Sequence, residues 1–161
     1  MNAPADSLVI GAIGQPGERT FYAQVVVADR PSWFVIEKFH AAVFAVQARE
    51  LLDDVGRSGA GGGLDPGTLA PPDAVTFRVG GIDLDYREDS GLIDIELLPV
   101  EAEGMQPFRF TVTPAQLDAA AEEASNAVEG GRPRCPRCGL AMDPDGHPCP
   151  AHNGDLRRHQ A

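Results

Sequence analysis

The sequence predicts an α+β domain, an antiparallel sheet of about six strands with two helices, followed by a small C-terminal zinc-ribbon-like segment. Short apolar or alternating segments occur in two groups of three, as expected for strands. Each group is followed by one segment whose apolar residues recur at helical spacing. All three cysteines lie near the end of the chain. We therefore predict a domain over residues 1–131, with two strand-strand-strand-helix halves, and a tail over residues 132–161.

The first half begins with three predicted strands. "SLVIGAIGQPGERTFYAQVVV" predicts two strands joined by a tight turn, because Leu8 to Ile13 are largely apolar and Gly14 to Gly17 supply turn residues. "PSWFVIE" predicts the third strand. The turn segment "GAIGQPG" lacks the G-x-G-x-x-G spacing and a following helix, so we expect a hairpin rather than a nucleotide-binding loop.

The first predicted helix begins at about Glu37 and ends at Gly56. Its apolar face is formed by residues at i, i+4, i+7 and i+11, namely Phe44, Ala48, Leu51 and Val55. His40 lies on this helix beside Glu37 and Lys38. Without a partner at a suitable spacing, a histidine is more often a surface or packing residue than a catalyst, and we expect that of His40.

Residues 56–73, "GRSGAGGGLDPGTLAPPD", separate the two halves. Six glycines and three prolines leave little to nucleate a helix or strand, so this segment is predicted to be a linker or a long flexible loop.

The second half repeats the pattern of the first. "AVTFRVGGIDLDYRE", "LIDIELL" and "FRFTVT" alternate apolar and polar residues and predict three strands. The acidic run "DLDYRED" shares this alternation, which favours a half-exposed strand over a calcium loop. The shared order fits either an internal duplication or an ordinary α+β domain.

The second predicted helix opens at "TPAQ". Thr113 can cap it, Pro114 suits the first helical position, and Gln116 completes a capping box. Its apolar face again has the spacing i, i+4, i+7 and i+11, in Leu117, Ala121, Ala124 and Val128. Gly130 and Gly131 end it.

The charge of the chain is strongly acidic and unevenly distributed. The net charge is −11, and the tail has five arginines against three aspartates, so residues 1–131 carry −13. Such a body repels a phosphate backbone, which argues against nucleic-acid binding by the main domain and leaves only the arginines of the tail for it. Without a signal-peptide pattern or a membrane-spanning apolar run, we expect a cytoplasmic protein that does not bind membranes.

The tail sequence "CPRCGLAMDPDGHPCPAH" predicts a metal site. Cys135 and Cys138 form a C-x-x-C turn followed by glycine, and Cys149 lies between two histidines. Tetrahedral Zn²⁺ takes four ligands, so three thiolates and one imidazole complete its shell. His152 repeats the spacing of the first cysteine pair, whereas His147 would point to the same side as Cys149 in an extended segment. Both histidines remain candidates for the fourth ligand.

A closed structural zinc site is favoured over two alternatives. A redox C-x-x-C would be expected at a helix N-terminus, but proline and glycine surround this one. A catalytic zinc would need an open position and a general base, and Asp143 and Asp145 fit turn positions better than that role. The tail has few apolar side chains, so its folding would depend on the metal.

The tail motifs, together with "VIGAIGQPGERTFYAQ" and "VIEK", resemble the bacterial DUF3090 family of unknown function over nearly the whole chain. In that family the tail reads CPxCG, then DPxGHxCP, then NG. The matching residues here are Cys135, Cys138, Asp143, Pro144, Gly146, His147, Cys149, Pro150, Asn153 and Gly154. The resemblance implies His147 as the fourth ligand, because relatives usually lack a histidine at the position of His152. It implies no established activity.

The sequence favours a non-enzymatic protein-interaction or adaptor module with a structural zinc site and an unidentified protein partner. It contains a complete ligand set but no P-loop, G-x-S-x-G or H-E-x-x-H motif. The alternative is a metal-dependent, hydrolase-like enzyme acting on a phosphorylated substrate. That alternative predicts an open metal position beside a pocket that reaches the strands near Glu37 and His40.

Overall fold

The computed structural model describes residues 2–15, 17–101 and 104–130. Met1–Val128 form one compact unit and Glu129–Ala161 a second, of which only residues 129–130 are described. The strands and helices of the described residues are, in chain order, β1 (Ala3–Pro4), β2 (Ser7–Ile13), β3 (Thr20–Val27), β4 (Arg30–Ile36), α1 (Lys38–Asp54), β5 (Val75–Tyr86), β6 (Ile93–Pro99), β7 (Phe108–Val112) and α2 (Pro114–Val128).

The described strands form one seven-stranded sheet in the order β1-β7-β6-β5-β4-β3-β2. The predicted α+β class with two helices is confirmed, but the sheet is mixed rather than antiparallel. β4 pairs with β5, and β1 with β7, in parallel. The first parallel pair arises because α1 lies between β4 and β5 in the chain and returns the chain to the same end of the sheet.

The seventh strand, β1, was not predicted, because two residues that include a proline carry no periodicity. β1 and β2 lie at opposite ends of the strand order, although only Ala5 and Asp6 separate them in the chain. The Ala5 N–H donates to the Thr111 carbonyl on β7 (2.8 Å), and the Asp6 N–H donates to the Val26 carbonyl on β3 (2.7 Å). Consecutive amides thus connect the two ends of the sheet.

The core is one cluster formed by the strands and the two helices. Phe34 lies at its centre, with its ring centroid 4.9 Å from those of Phe77 and Phe108. The aromatic side chains of Phe21, Trp33 and Phe110 are buried as well.

The phase of the β5 pattern changes in the middle of the strand, and the structure shows why. Phe77 and Val79 are buried at odd positions, whereas Ile82 and Leu84 are the half-buried residues at even positions. The β5–β6 register shifts between Val79 and Gly81, which is a β-bulge. The extra residue of the bulge shifts the alternation by one, so the side chains on the core side lie at odd positions before the bulge and at even positions after it.

The buried face of α1 is rotated from the predicted one. Phe44 and Ala48 are buried as predicted, but Leu51 and Val55 are only half-buried. The other buried residues of the helix are Ala41, Ala45 and Leu52. Alanines at this surface, opposite the buried alanines of α2, allow the two helices to approach closely, and this contact decides the rotation of α1.

The predicted start and apolar face of α2 are confirmed. The Thr113 N–H donates to Gln116 Oε1 (2.9 Å), and the Gln116 N–H donates to Thr113 Oγ1 (3.1 Å), which is a capping box. Gln116 Nε2 also donates to the carbonyl of Ala5 (3.0 Å), the residue that follows β1, so the capping residue also contacts the N-terminal chain. Leu117, Ala121 and Ala124 are buried, and Val128 packs against the core.

Residues 57–72 form neither a helix nor a strand, yet they contact the domain at several points. Gln24 Oε1 accepts from the Ala70 N–H (2.8 Å), and Gln24 Nε2 donates to the Thr68 carbonyl (3.0 Å). Trp33 Nε1 donates to the Ala70 carbonyl (3.0 Å). At the other end of the segment, the Gly61 N–H donates to Asp118 Oδ2 on α2 (2.9 Å).

Candidate functional site

The predicted metal ligands, Cys135, Cys138, His147, Cys149 and the alternative His152, lie outside the described residues. The tail arginines, Asp143 and Asp145 lie outside them as well. Within residues 2–15, 17–101 and 104–130, no group of three or more His, Cys, Asp or Glu side chains is arranged to hold a metal ion.

His40 participates in the first turn of α1. Its Nδ1 accepts a hydrogen bond from the Glu37 N–H (3.1 Å), and its ring lies 4.1 Å from that of Phe39, centroid to centroid. Glu37 Oε1 in turn accepts from an Nη of Arg78 on β5 (2.7 Å). These contacts give His40 a structural role at the helix N-terminus, which is the kind of surface role expected from the sequence.

The surface of α1 carries a second apolar stripe that faces solvent. Phe39, Val43 and Val46 have relative exposures of 61%, 46% and 57%. Their spacing of i, i+4 and i+7 places them on one side of the helix. Gln47, Glu50 and Asp54 continue this side toward the C-terminus. We call these six residues the α1 outer face; its N-terminal half is apolar and its C-terminal half is polar and acidic.

A groove of about 490 Å³ adjoins the acidic half of the α1 outer face. α1 contributes Gln47, Glu50, Leu51 and Asp54 to its lining, and β5 contributes Ile82, Asp83 and Leu84. Because of the bulge in β5, Ile82 and Leu84 lie on the core side of the strand and are half-buried. The groove therefore combines half-buried apolar side chains with exposed carboxylates. We call it the α1–β5 groove.

Acidic residues also face each other on the neighbouring strands. Asp83 pairs with Glu96, and Asp85 pairs with Asp94, across β5 and β6. Like charges at opposed positions repel. Two arginine ion pairs partly offset this repulsion, Arg109 with Glu96 (3.0 Å) and Arg87 with Asp94 (3.4 Å). Of these four carboxylates only Asp83 lines the α1–β5 groove, and all four alternate along β5 and β6 with side chains that pack in or against the core.

The α1 outer face was missed from the sequence although a signal for it was present. Phe39, Val43 and Val46 have helical spacing, just as the buried stripe does. A helix with apolar residues on two sides does not reveal which side is covered, because that depends on packing partners from elsewhere in the chain.

No helix among the described residues is long and apolar enough to cross a membrane. A family described as a protein of unknown function, DUF3090, matches residues 2–149 of the chain. No curated protein and no solved structure matches it.

Proposed function

The chain belongs to the DUF3090 family, and we propose that it is a non-enzymatic protein-interaction module that docks a partner on the α1 outer face and holds a structural zinc ion in its tail. The observation that carries the interaction role is the stripe of Phe39, Val43 and Val46, each about half exposed or more. Single exposed apolar residues are ordinary, whereas a contiguous apolar stripe is typical of a binding surface.

The charge of the groove beside the acidic half of the α1 outer face defines the partner. The α1–β5 groove combines Leu51, Ile82 and Leu84 with the carboxylates of Glu50 and Asp83, next to a body of charge −13. A complementary partner segment would place apolar side chains on the stripe and in the groove and would carry lysine or arginine beside them. We therefore propose a basic, amphipathic protein segment as the ligand.

The zinc part of the proposal depends on the chemistry of the donor set. Cys135, Cys138 and Cys149 supply three thiolates, and His147 supplies the fourth ligand, with His152 as the alternative. A shell filled by four protein ligands leaves no position for substrate, so the ion would stabilise the tail rather than catalyse a reaction.

Site-specific photocrosslinking tests the interaction role. Val46 of the full chain is replaced by p-benzoylphenylalanine in the native cells, and Val100, an equally exposed valine outside the α1 outer face, serves as the control position. We expect an adduct with a second protein from position 46 and none from position 100. The purified partner should then bind Val43→Glu about tenfold more weakly than wild type, whereas Val100→Glu should bind like wild type.

Three results would contradict the interaction role. Equal adducts from positions 46 and 100 would show that capture does not depend on the stripe. An adduct formed only with a second copy of this chain would replace the adaptor role with self-association. A partner whose affinity does not fall with increasing ionic strength would contradict the electrostatic match.

A further inference from the structure

A second cleft, of about 370 Å³, lies at the N-terminal end of α1 and concentrates positive charge. Arg19 comes from the start of β3, Lys38 from the first position of α1, and Arg78 from β5. The other lining residues are Gly17, Thr20, Phe21, Val35, Ile36 and Glu37. We call this the cationic cleft; Glu37 is the one carboxylate among its lining residues.

The concentration of cations is unusual for this chain. Residues 1–131 contain only eight lysines and arginines, and three of them line this one cleft. The same residues carry a net charge of −13. Clefts lined by one sign of charge focus the local potential and attract the opposite charge. The cationic cleft is thus a place where an otherwise acidic surface attracts an anion.

The three cations keep donors for a ligand. One Nη of Arg19 donates to the Ala127 carbonyl (2.6 Å), while its guanidinium lies over the Phe21 ring at 5.1 Å. One Nη of Arg78 donates to Glu37 Oε1. A guanidinium has five N–H donors, so each arginine retains several. Among the described residues, the Lys38 ammonium has no ion-pair partner.

From this geometry we propose that the cationic cleft binds the phosphate group of a small soluble molecule. Two guanidinium groups and an ammonium suit a tetrahedral, doubly charged group, because the planar fork of arginine pairs with phosphate oxygens in a bidentate way. The positive end of the α1 dipole lies on the same side and adds to this attraction. The volume holds a phosphate together with a small organic substituent.

A titration of the full chain tests the proposal, with inorganic phosphate and phenyl phosphate as probes and chloride at matched ionic strength as the blank. Amide chemical shifts followed by NMR should saturate, with the largest changes at Arg19–Thr20, Glu37–Phe39 and Arg78. Lys38→Met and Arg78→Met should each weaken binding about tenfold, the lower range for a charge-assisted hydrogen bond. Tighter binding of phenyl phosphate would identify an organic phosphate as the ligand, and equal binding would identify the free anion.

The control is Arg49→Met, which removes the same charge from a residue that pairs with Glu122 and does not line the cleft. It should bind both probes like wild type. Equal weakening by Arg49→Met would overturn the proposal, because the effect would then come from net charge. Shift changes that chloride reproduces, or that do not saturate, would overturn it as well. Since Lys38 is exposed, its variant should keep the amide spectrum of a folded protein.

Discussion

Gln24→Leu should loosen the segment 57–72 from the sheet. The Gln24 side chain is buried, with 6% exposure, and it makes three hydrogen bonds. It accepts from the Trp33 indole N–H (3.0 Å) and the Ala70 N–H (2.8 Å), and it donates to the Thr68 carbonyl (3.0 Å). Leucine has a similar volume, so the change removes these bonds with little effect on packing.

The expected loss in the free energy of unfolding depends on which hydrogen-bond partners of Gln24 have no other partner to replace it. The Trp33 N–H keeps the Ala70 carbonyl as its acceptor, so it remains satisfied. The Ala70 N–H and the Thr68 carbonyl lose the partner that they have now. Each hydrogen bond contributes about 1 kcal/mol net, so the free energy of unfolding should fall by about 2 kcal/mol.

Two measurements check this prediction. Urea denaturation followed by circular dichroism gives the free energy of unfolding. Fluorescence of Trp33, the single tryptophan, should shift to longer wavelength as Ala70 moves away from the indole. Gln106→Leu, an exposed glutamine, is the control and should change stability by less than about 0.5 kcal/mol. If Gln24→Leu is equally neutral and its emission is unchanged, Gln24 does not hold this segment.

One further prediction concerns the contact of Gly61 with α2, and another concerns the zinc site of the tail. Gly61→Ala should lower the free energy of unfolding, measured by urea denaturation, by about 1–3 kcal/mol, because a Cβ there would lie 2.6 Å from the Ala115 carbonyl oxygen. Gly62→Ala is the control and should be nearly neutral, because its Cβ would have no atom closer than 3.4 Å. The full chain purified without chelator should contain about one equivalent of zinc by elemental analysis, and His147→Ala should lose it while His152→Ala retains it.

Equal stabilities of the two glycine variants would show that Gly61 is not packed against α2. Less than about half an equivalent of zinc in the wild-type chain would contradict the zinc site. Equal loss of zinc from both histidine variants would contradict a shell of three cysteines and one histidine.

Local patterns predicted most of the elements because their causes are local. The six longer strands show apolar runs or alternation, and the Thr113–Gln116 capping box is complete within four residues. The parallel pairing of β4 with β5 and the existence of β1 depend instead on contacts between residues far apart in the chain. The side of α1 that is buried also depends on α2, so two apolar stripes on one helix left its orientation undetermined.

The candidate surfaces were predictable to different degrees. The cysteine–histidine spacing carries its own chemistry and predicts zinc without a fold, and it stays a prediction here. The α1 outer face could be anticipated as a stripe but not as an exposed one. The cationic cleft could not be anticipated, because Arg19, Lys38 and Arg78 are far apart in sequence and are brought together by β3, α1 and β5.

The strands of the two halves are paired in the same order. The start of β5 pairs in parallel with β4, and its later part pairs antiparallel with β6. The N-terminal chain repeats this arrangement, with β1 and β2 in the place of the two parts of β5. β1 pairs in parallel with β7, and β2 pairs antiparallel with β3. Each half therefore places its first strand beside the third strand of the other half, and each third strand leads into a helix.

Within this symmetry, the N-terminal ends of the two helices are corresponding places with different chemistry. The start of α1 is joined to β5 through the ion pair of Glu37 with Arg78, and the start of α2 is joined to the residue after β1 through the hydrogen bond from Gln116 to the Ala5 carbonyl. The first residue of α1 is Lys38, whereas that of α2 is Pro114, which carries no charge. The symmetric fold does not itself require a cation at this position. The positive charge of the cationic cleft therefore comes from the side chains of Arg19, Lys38 and Arg78 and not from the strand pairing that the two halves share.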